Sequence, residues 1–326
     1  MADLPNHFQK QPLDSQMPSA SSCSFKSLRA TAQGRRFALA AGILVICFAV
    51  PLWQLFGFAA HSDLYSYIIL IPFISFYLLW LNRETLPISI QPARLLSAIF
   101  LFAGVALAAV YWLWLRSRLQ ISYDDYLAIM TICFLLLFYG VSSLFWGTQT
   151  LRASAFPLVF LIFMVPIPLA AIQQVNSFLQ FGSAIAAAGF FSLTGTSFFQ
   201  DGLAFHLSDI RLEIAPECSG LHSTLVLFLT SLLASYIFLR TPWKRALLTF
   251  FVIPLGLLRN GFRVFVIGQM CIHMGPQMID SPIHHKGGPI FFVLSLIPLF
   301  LLLLILHKSE KGGPGTGLEI SKTCHV

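Results

Sequence analysis

From residue 37 onward, apolar runs alternate with short polar segments. Eight of these runs are each near the length a helix needs to cross roughly 30 Å of hydrocarbon. They cover 37–57, 64–81, 95–115, 127–147, 154–173, 221–240, 246–268 and 288–307. The pattern predicts an all-α membrane fold, a polytopic bundle of about eight transmembrane helices between 37 and 307. A further stretch, 176–198, is apolar overall but interrupted by Asn176, Gln180, Ser183, Ser192 and Thr194 and weakened by Gly182, Gly189 and Gly195. It reads as an interfacial or re-entrant helix. In 199–217 the period shortens: Phe205, Leu207, Ile210, Leu212 and Ile214 alternate with polar neighbours such as Arg211 and Glu213. That alternation predicts a short extracytoplasmic strand or hairpin just before the helix that opens at 221. Pro166 and Pro168 each lack a backbone donor and are expected to bend the fifth span.

Composition agrees with the pattern. Of 326 residues, 57% are hydrophobic and 10% charged, against about 25% charged in soluble domains. So few charges cannot cover a water-soluble globule. Charge also sets the orientation. With residues 1–36 inside, the cytoplasmic segments collect 14 of the 20 Lys and Arg, as the positive-inside bias requires. Making 176–198 a full span would put the Arg240, Lys244 and Arg245 cluster outside, against that bias. Residues 1–36 carry Lys10, Lys26, Arg29, Arg35 and Arg36 among Ser, Gln and Pro. They predict a disordered basic cytoplasmic tail, and 308–326 a second cytoplasmic tail. A cleaved signal peptide fits neither the length of the leading segment nor that of the first apolar run. The net charge of +7 fits this orientation better than nucleic acid, for which no basic-aromatic patch or motif is present. The partner implied is the lipid bilayer.

Reactive side chains concentrate at three points: Glu217-Cys218-Ser219-Gly220, Arg259-Asn260-Gly261-Phe262-Arg263 and His284-His285-Lys286-Gly287-Gly288. A thiol, a guanidinium and an imidazole can serve as nucleophile, charge stabiliser and base. In the eight-span topology Cys218 opens a helix running inward, Arg263 falls in the last turn or two of the next, and His284 and His285 lie just before the one after. All three then sit at one membrane depth, on consecutive helices that are usually neighbours. A helix N-terminus favours the thiolate of Cys218. Asn260 lies one turn below Arg263, and Arg259 is deeper, on what reads as a different face. His222 stands four residues after Cys218 and could tune the thiol. With Cys218 and His284 or His285 it could also make a zinc site. The bland readings remain beside these: Arg263 reaching headgroups, the histidines as interfacial loop residues, Cys218 as a structural thiol. The six cysteines, at 23, 47, 133, 218, 271 and 324, form no CxxC pair, so neither a disulfide framework nor structural zinc is predicted. A Cys218–Cys271 bridge stays a minor alternative. No cofactor is implied.

Three stretches together resemble the exosortase/archaeosortase family. They are Glu217-Cys218-Ser219-Gly220-Leu221, then Asn260-x-x-Arg263-Val264, then His284 with its following glycines and Phe291-Phe292. Phe156-Pro157-Leu158 through Phe163-Met164-Val165-Pro166-Ile167-Pro168 adds to the resemblance, which covers about residues 60–305. It implies a multispanning cysteine protease or transpeptidase of a bacterial inner membrane, its active site on the extracytoplasmic face. Such enzymes act on exported proteins bearing a C-terminal motif, one transmembrane helix and a basic tail, of the PEP-CTERM kind. By position, the resemblance makes Cys218 the nucleophile, Arg263 the arginine and His284 the histidine. Two departures stand out: His222 occupies a place where the family commonly has arginine, and the doubled His284-His285 leaves the working imidazole open. Competing readings are a multispan transporter, which predicts polar groups near the midplane, a non-catalytic assembly factor for export or polysaccharide, and a metal-dependent membrane hydrolase.

Overall fold

In hydrocarbon every backbone N–H and C=O must find its partner within the segment, so the apolar runs become helices. The computed structural model describes residues 20–83, 93–115, 122–207, 210–215, 219–275, 277 and 288–311. Among them, Arg94–Leu113, Tyr123–Ala153, Leu221–Phe238, Pro242–Met274 and Gly288–Glu310 are each long and apolar enough to cross a membrane. Two further pairs, Gln33–Cys47 with Ala49–His61 and Ala155–Met164 with Leu169–Leu193, qualify only when taken together. The described residues thus carry five to seven spans by length and composition, where hydropathy predicts eight. The difference lies in the run at 64–81, which is the shorter apolar helix Ser66–Leu81, and in the two broken pairs.

The chain divides into two compact units. The first, drawn from residues up to 56, from 70–121 and from 126–165, holds α1 (Ala20–Cys47), most of α2 (Ala49–His61), α3 (Leu70–Leu81), α4 (Arg94–Val110), α5 (Tyr123–Ala153) and α6 (Ala155–Phe160). Helix α1 begins inside the stretch 1–36 read as a disordered tail. The run read as one span at 37–57 breaks at Phe48. Pro51 explains the break, since it cannot donate to the Cys47 carbonyl four residues back and its ring crowds that oxygen. Helix α5 turns at Gly147, where φ is 70°, the position at which the hydropathy run ends. Around α5, Phe37 packs on Trp146 at 4.7 Å, Ser97 Oγ donates to the Gly140 carbonyl at 2.8 Å, and Tyr139 Oη donates to Leu158 O at 2.8 Å. Helix α6 runs through a 3-10 turn to Met164, after which Val165 is extended.

The second unit takes residues 57–69, 122–125 and 166 onward. Pro168 is extended, and α7 (Leu169–Leu193) starts behind it, so the two prolines end one helix and start another. The stretch read as a re-entrant segment at 176–198 is the body of this 25-residue helix. Next come β1 (Phe199–Asp201), β2 (Ala204–Leu207) and β3 (Ile210–Glu213), then α8 (Leu221–Phe238), α9 (Pro242–Met274) and α10 (Gly288–Lys311). The expected hairpin is a three-stranded antiparallel sheet in the order β1-β2-β3, with Phe205 opposite Leu212 and His206 opposite Arg211. Its alternation works as predicted: Phe205, Leu207, Leu212 and Ile214 bury against Ala184, Ala187 and Phe191 of α7 and Val264, Ile267 and Cys271 of α9, while Arg211 and Glu213 face out. Cys271 is a free, buried thiol in that core.

Helix α9 is the scaffold of this unit. Its N-terminal half packs on α8 and α10 through Leu227, Leu248, Val252, Leu255, Leu299 and Leu303, and Gly261 brings it against α7. A Cβ on Gly261 would lie 2.5 Å from Ala186 Cβ, 2.9 Å from Ala187 N and 3.0 Å from Ser183 O. Two of those neighbours are backbone, so only separation of the helices makes room. Gly261→Ala is expected to destabilise by about 1–3 kcal/mol despite alanine's higher helix propensity. Gly189→Ala, on α7 with nothing within 4 Å of its Cβ, should be neutral or stabilising by up to about 1 kcal/mol. Thermal unfolding of the two solubilised variants checks the contrast.

The basic cluster sits where α8 meets α9. Glu310 of α10 accepts the Arg240 and Thr241 backbone N–H groups, both at 2.9 Å. Lys244 Nζ reaches Ser309 Oγ at 3.3 Å, and His307 Nδ1 lies 2.8 Å from Phe238 O. The 18 residues of α8 put this cluster about 27 Å from Gly220 at the other end of the helix.

Candidate active site

The chain enters α8 through a turn that only a residue without Cβ takes easily. Gly220 is the N-cap, with φ 74° and ψ 19°, in the left-handed region. Its carbonyl collects three donors: Thr224 N at 2.9 Å, Ser223 Oγ at 3.2 Å and Arg259 Nη2 at 3.2 Å. Before it, Ser219 Oγ accepts the Leu221 N–H at 3.3 Å and donates to Asn176 Oδ1 on α7 at 2.7 Å. Upstream again, Gln180 Nε2 of α7 donates to Ile214 O at 2.8 Å and fixes the exit of the sheet. Neutral side chains of α7 thus hold the turn on one side.

Helix α9 holds it on the other. Arg259 is only 7% exposed. Besides Gly220 O, its Nη2 donates to Thr224 Oγ1 at 3.1 Å, and its Nη1 is buried without a hydrogen-bond partner. Asn260, 2% exposed, donates from Nδ2 to Ser183 Oγ of α7 at 3.0 Å. Consecutive helical residues point about 100° apart, so Arg259 serves α8 while Asn260 serves α7. Both close on Gly220, where a Cβ would lie 2.9 Å from Arg259 Nη2 and 3.0 Å from Asn260 Oδ1. Gly256, one turn before Asn260, leaves room for Thr224, whose side chain would be 3.0 Å from a Cβ there.

Two expectations change. Arg263 does not lie near the end of its helix, because α9 continues to Met274. The extension 264–274 presents Val264, Ile267 and Cys271 to the sheet, so its apolar stripe covers a protein core. Arg263 is half-buried, with its Nε shielded from solvent. Arg259, read as deeper and on another face, is the arginine level with the Gly220 turn, and it lies four residues from Arg263 on the same side of α9. His222 is exposed, and its Nδ1 stands 3.5 Å from Leu64 O. That segment is anchored by Tyr65, whose Oη donates to Ile167 O at 3.0 Å. Cys218, His284 and His285 lie outside the described residues. Among the described ones, no group of three or more His, Cys, Asp or Glu is placed to hold a metal ion.

Asn176, Ser183, Ser219 and Thr224 complete the shell, and sequence reasoning gave none of them a role. A signal was present: 176, 180 and 183 are spaced by four and three, one face of a helix, and that face meets the turn.

A family model described as transmembrane exosortase matches residues 58–301. No curated protein and no solved structure matches the chain.

Proposed function

Since the chain belongs to the transmembrane exosortase family, we propose that it cleaves the C-terminal sorting signals of exported proteins as a cysteine transpeptidase. Membership supports the general description, a multi-pass membrane enzyme that sorts exported proteins; the steps below are our reading. The observation that carries it is the turn at Gly220, two residues after Cys218, gripped by buried Arg259 and Asn260. A fold has little other reason to bury a guanidinium against a helix start in an apolar bundle.

In this reading a substrate's anchoring helix docks on the bundle and brings its scissile bond to the start of α8. The Cys218 thiolate attacks the carbonyl carbon. As the C–N bond breaks, His284 (or His285) gives its proton to the departing amine, leaving a thioester. An incoming amine, or water, then attacks the thioester and returns a proton to the imidazole. The C–S bond breaks and the thiolate is restored. Arg263 stabilises the oxyanion or the thiolate. This reading puts the site on the extracytoplasmic face of a bacterial inner membrane, and one feature supports the face: Arg240, Lys244 and Arg245 cluster at the far end of α8 and α9 from Gly220, where such clusters favour the cytoplasm. The substrate signal in this reading has a short motif, one transmembrane helix and a basic tail, as in PEP-CTERM proteins.

The thioester is the testable core. Wild-type protein in vesicles, mixed with a reporter carrying such a signal, is expected to yield an acyl adduct on the Cys218 peptide by mass spectrometry. Hydroxylamine should release the adduct. Signal cleavage with no adduct at any time point, or an adduct on another cysteine, would refute the scheme.

A further inference from the structure

The chain passes from α8 to α9 through Leu239, Arg240 and Thr241, at the end opposite Gly220. The last carbonyls of one helix and the first N–H groups of the next need partners there. Charged side chains supply several of them. Arg245 serves α8: its Nε donates to Leu239 O at 2.8 Å and its Nη2 to Tyr236 O at 3.4 Å, with the guanidinium 5.3 Å from the Tyr236 ring centre. His307 Nδ1 lies 2.8 Å from Phe238 O of the same last turn. Glu310 uses both carboxylate oxygens on the Arg240 and Thr241 backbone N–H groups. Two cations are left over. The Arg240 side chain is exposed, and Lys244 Nζ donates to neutral oxygens, Leu306 O at 3.4 Å and Ser309 Oγ at 3.3 Å.

Beside these cations lies a track suited to an acyl chain. Trp243, Leu247, Phe250 and Ile253 recur at three- and four-residue spacing along one face of α9. They are 62%, 37%, 67% and 41% exposed. Trp243 stands at the charged end of that face, as tryptophans do at the headgroup level of a membrane. We propose that this end of α8, α9 and α10 is a binding site for an anionic phospholipid of the phosphatidylglycerol kind. Arg240 and Lys244 hold its phosphate, Ser309 Oγ offers a hydroxyl to the same group, and an acyl chain lies along the Trp243 face. Charge selects the class of lipid. Arg240, Lys244 and Arg245 stand against the single carboxylate of Glu310, so an anionic headgroup supplies the missing charge, whereas a choline headgroup brings a cation of its own. Basic pockets between transmembrane helices take such headgroups. The 18 residues of α8 separate this site from the Gly220 turn, and the lipid assignment does not depend on the chemistry proposed there.

The test uses the full-length protein in detergent, titrated with phosphatidylglycerol or with phosphatidylcholine of the same acyl chains, and native mass spectrometry reads the bound lipid. Two interfacial cations at about fivefold each predict that wild type takes up its first phosphatidylglycerol about 25-fold more tightly than phosphatidylcholine. Arg240→Gln and Lys244→Gln should each reduce that preference about fivefold, and together abolish it. Lys308→Gln is the control. It removes an exposed cation at the same end of α10, about 200° around the helix from Glu310, and should leave the preference within about twofold of wild type. Equal affinity for the two lipids in wild type overturns the inference. So does an equal loss in Lys308→Gln, which would reduce the effect to a general attraction of anions. Glycerol phosphate at about a hundredfold excess over lipid should leave the lipid bound, because it lacks the acyl chain; complete displacement would assign the cations to soluble phosphates and refute a lipid site. If the double variant does not accumulate, Arg240→Gln decides, since Arg240 holds Glu310 through its backbone, which glutamine keeps. A fivefold drop then supports the site and an unchanged preference refutes it.

Discussion

Cys218→Ala and Cys218→Ser are both expected to leave a sorting-signal reporter unprocessed, with the rate down at least about a thousandfold. Alanine removes the nucleophile. Serine keeps a hydroxyl of similar size, but an alcohol ionises far less readily than a thiol. A helix N-terminus favours a thiolate, whereas a hydroxyl needs a general base aligned on its proton. The serine variant should therefore be nearly as inactive as alanine, while accumulating in membranes and melting like wild type. The readout is the ratio of precursor to mature reporter on an immunoblot, normalised to enzyme level. A serine variant within tenfold of wild type would mean that the thiol's acidity does not matter. Full cleavage by the alanine variant would end the cysteine mechanism. The same assay addresses the rival readings: a transporter or assembly factor gives no Cys218-dependent cleavage, and a metal-dependent hydrolase would lose cleavage to chelators.

The parts of this fold that follow from one dominant force were readable. Apolar runs had to become helices, the alternation at 205, 207, 210, 212 and 214 had to become strands, and two prolines at 166 and 168 had to interrupt a helix. Helix ends were less legible, because hydropathy does not distinguish lipid from a protein partner. The stretch 264–274 is apolar to cover Phe205, Leu207 and Leu212, so α9 outruns the span predicted at 246–268 and Arg263 lies about three turns from its end. The level of Arg259 was missed for a related reason. Depth was counted from the assumed helix end, whereas the contact depends on two glycines: Gly220, which lets the turn approach α9, and Gly256, which makes room for Thr224. Single-residue close approaches of this kind leave no periodic trace. The polar positions of α7 did leave one, at 176, 180 and 183, but as interruptions of an apolar run they also fitted a segment lying at the interface. The geometry of Cys218, His284 and His285 falls outside the described residues.

Gly220→Ala should be the most damaging single-atom-scale change outside the reacting residues. Two costs fall on it. An alanine at φ 74° costs about 1–2 kcal/mol from contact between Cβ and its own backbone. The new methyl also lies 2.9 Å from Arg259 Nη2 and 3.0 Å from Asn260 Oδ1. The guanidinium end can swing away, but only by giving up Gly220 O and Thr224 Oγ1 and leaving a buried cation with poorer partners. Asn260 is held by Ser183 and has less room to yield. Together these should cost about 2–4 kcal/mol of stability and reduce processing about 10- to 100-fold. Gly202→Ala is the internal control. It sits at φ 60° in the turn between β1 and β2, with nothing within 4 Å of its Cβ. It carries the backbone cost alone and should melt lower by about the first amount, with processing intact. If the two variants process the reporter equally, the contact of Arg259 and Asn260 with the turn has no part in catalysis. If Gly220→Ala alone loses activity, the effect lies in that contact, because the backbone strain is common to both.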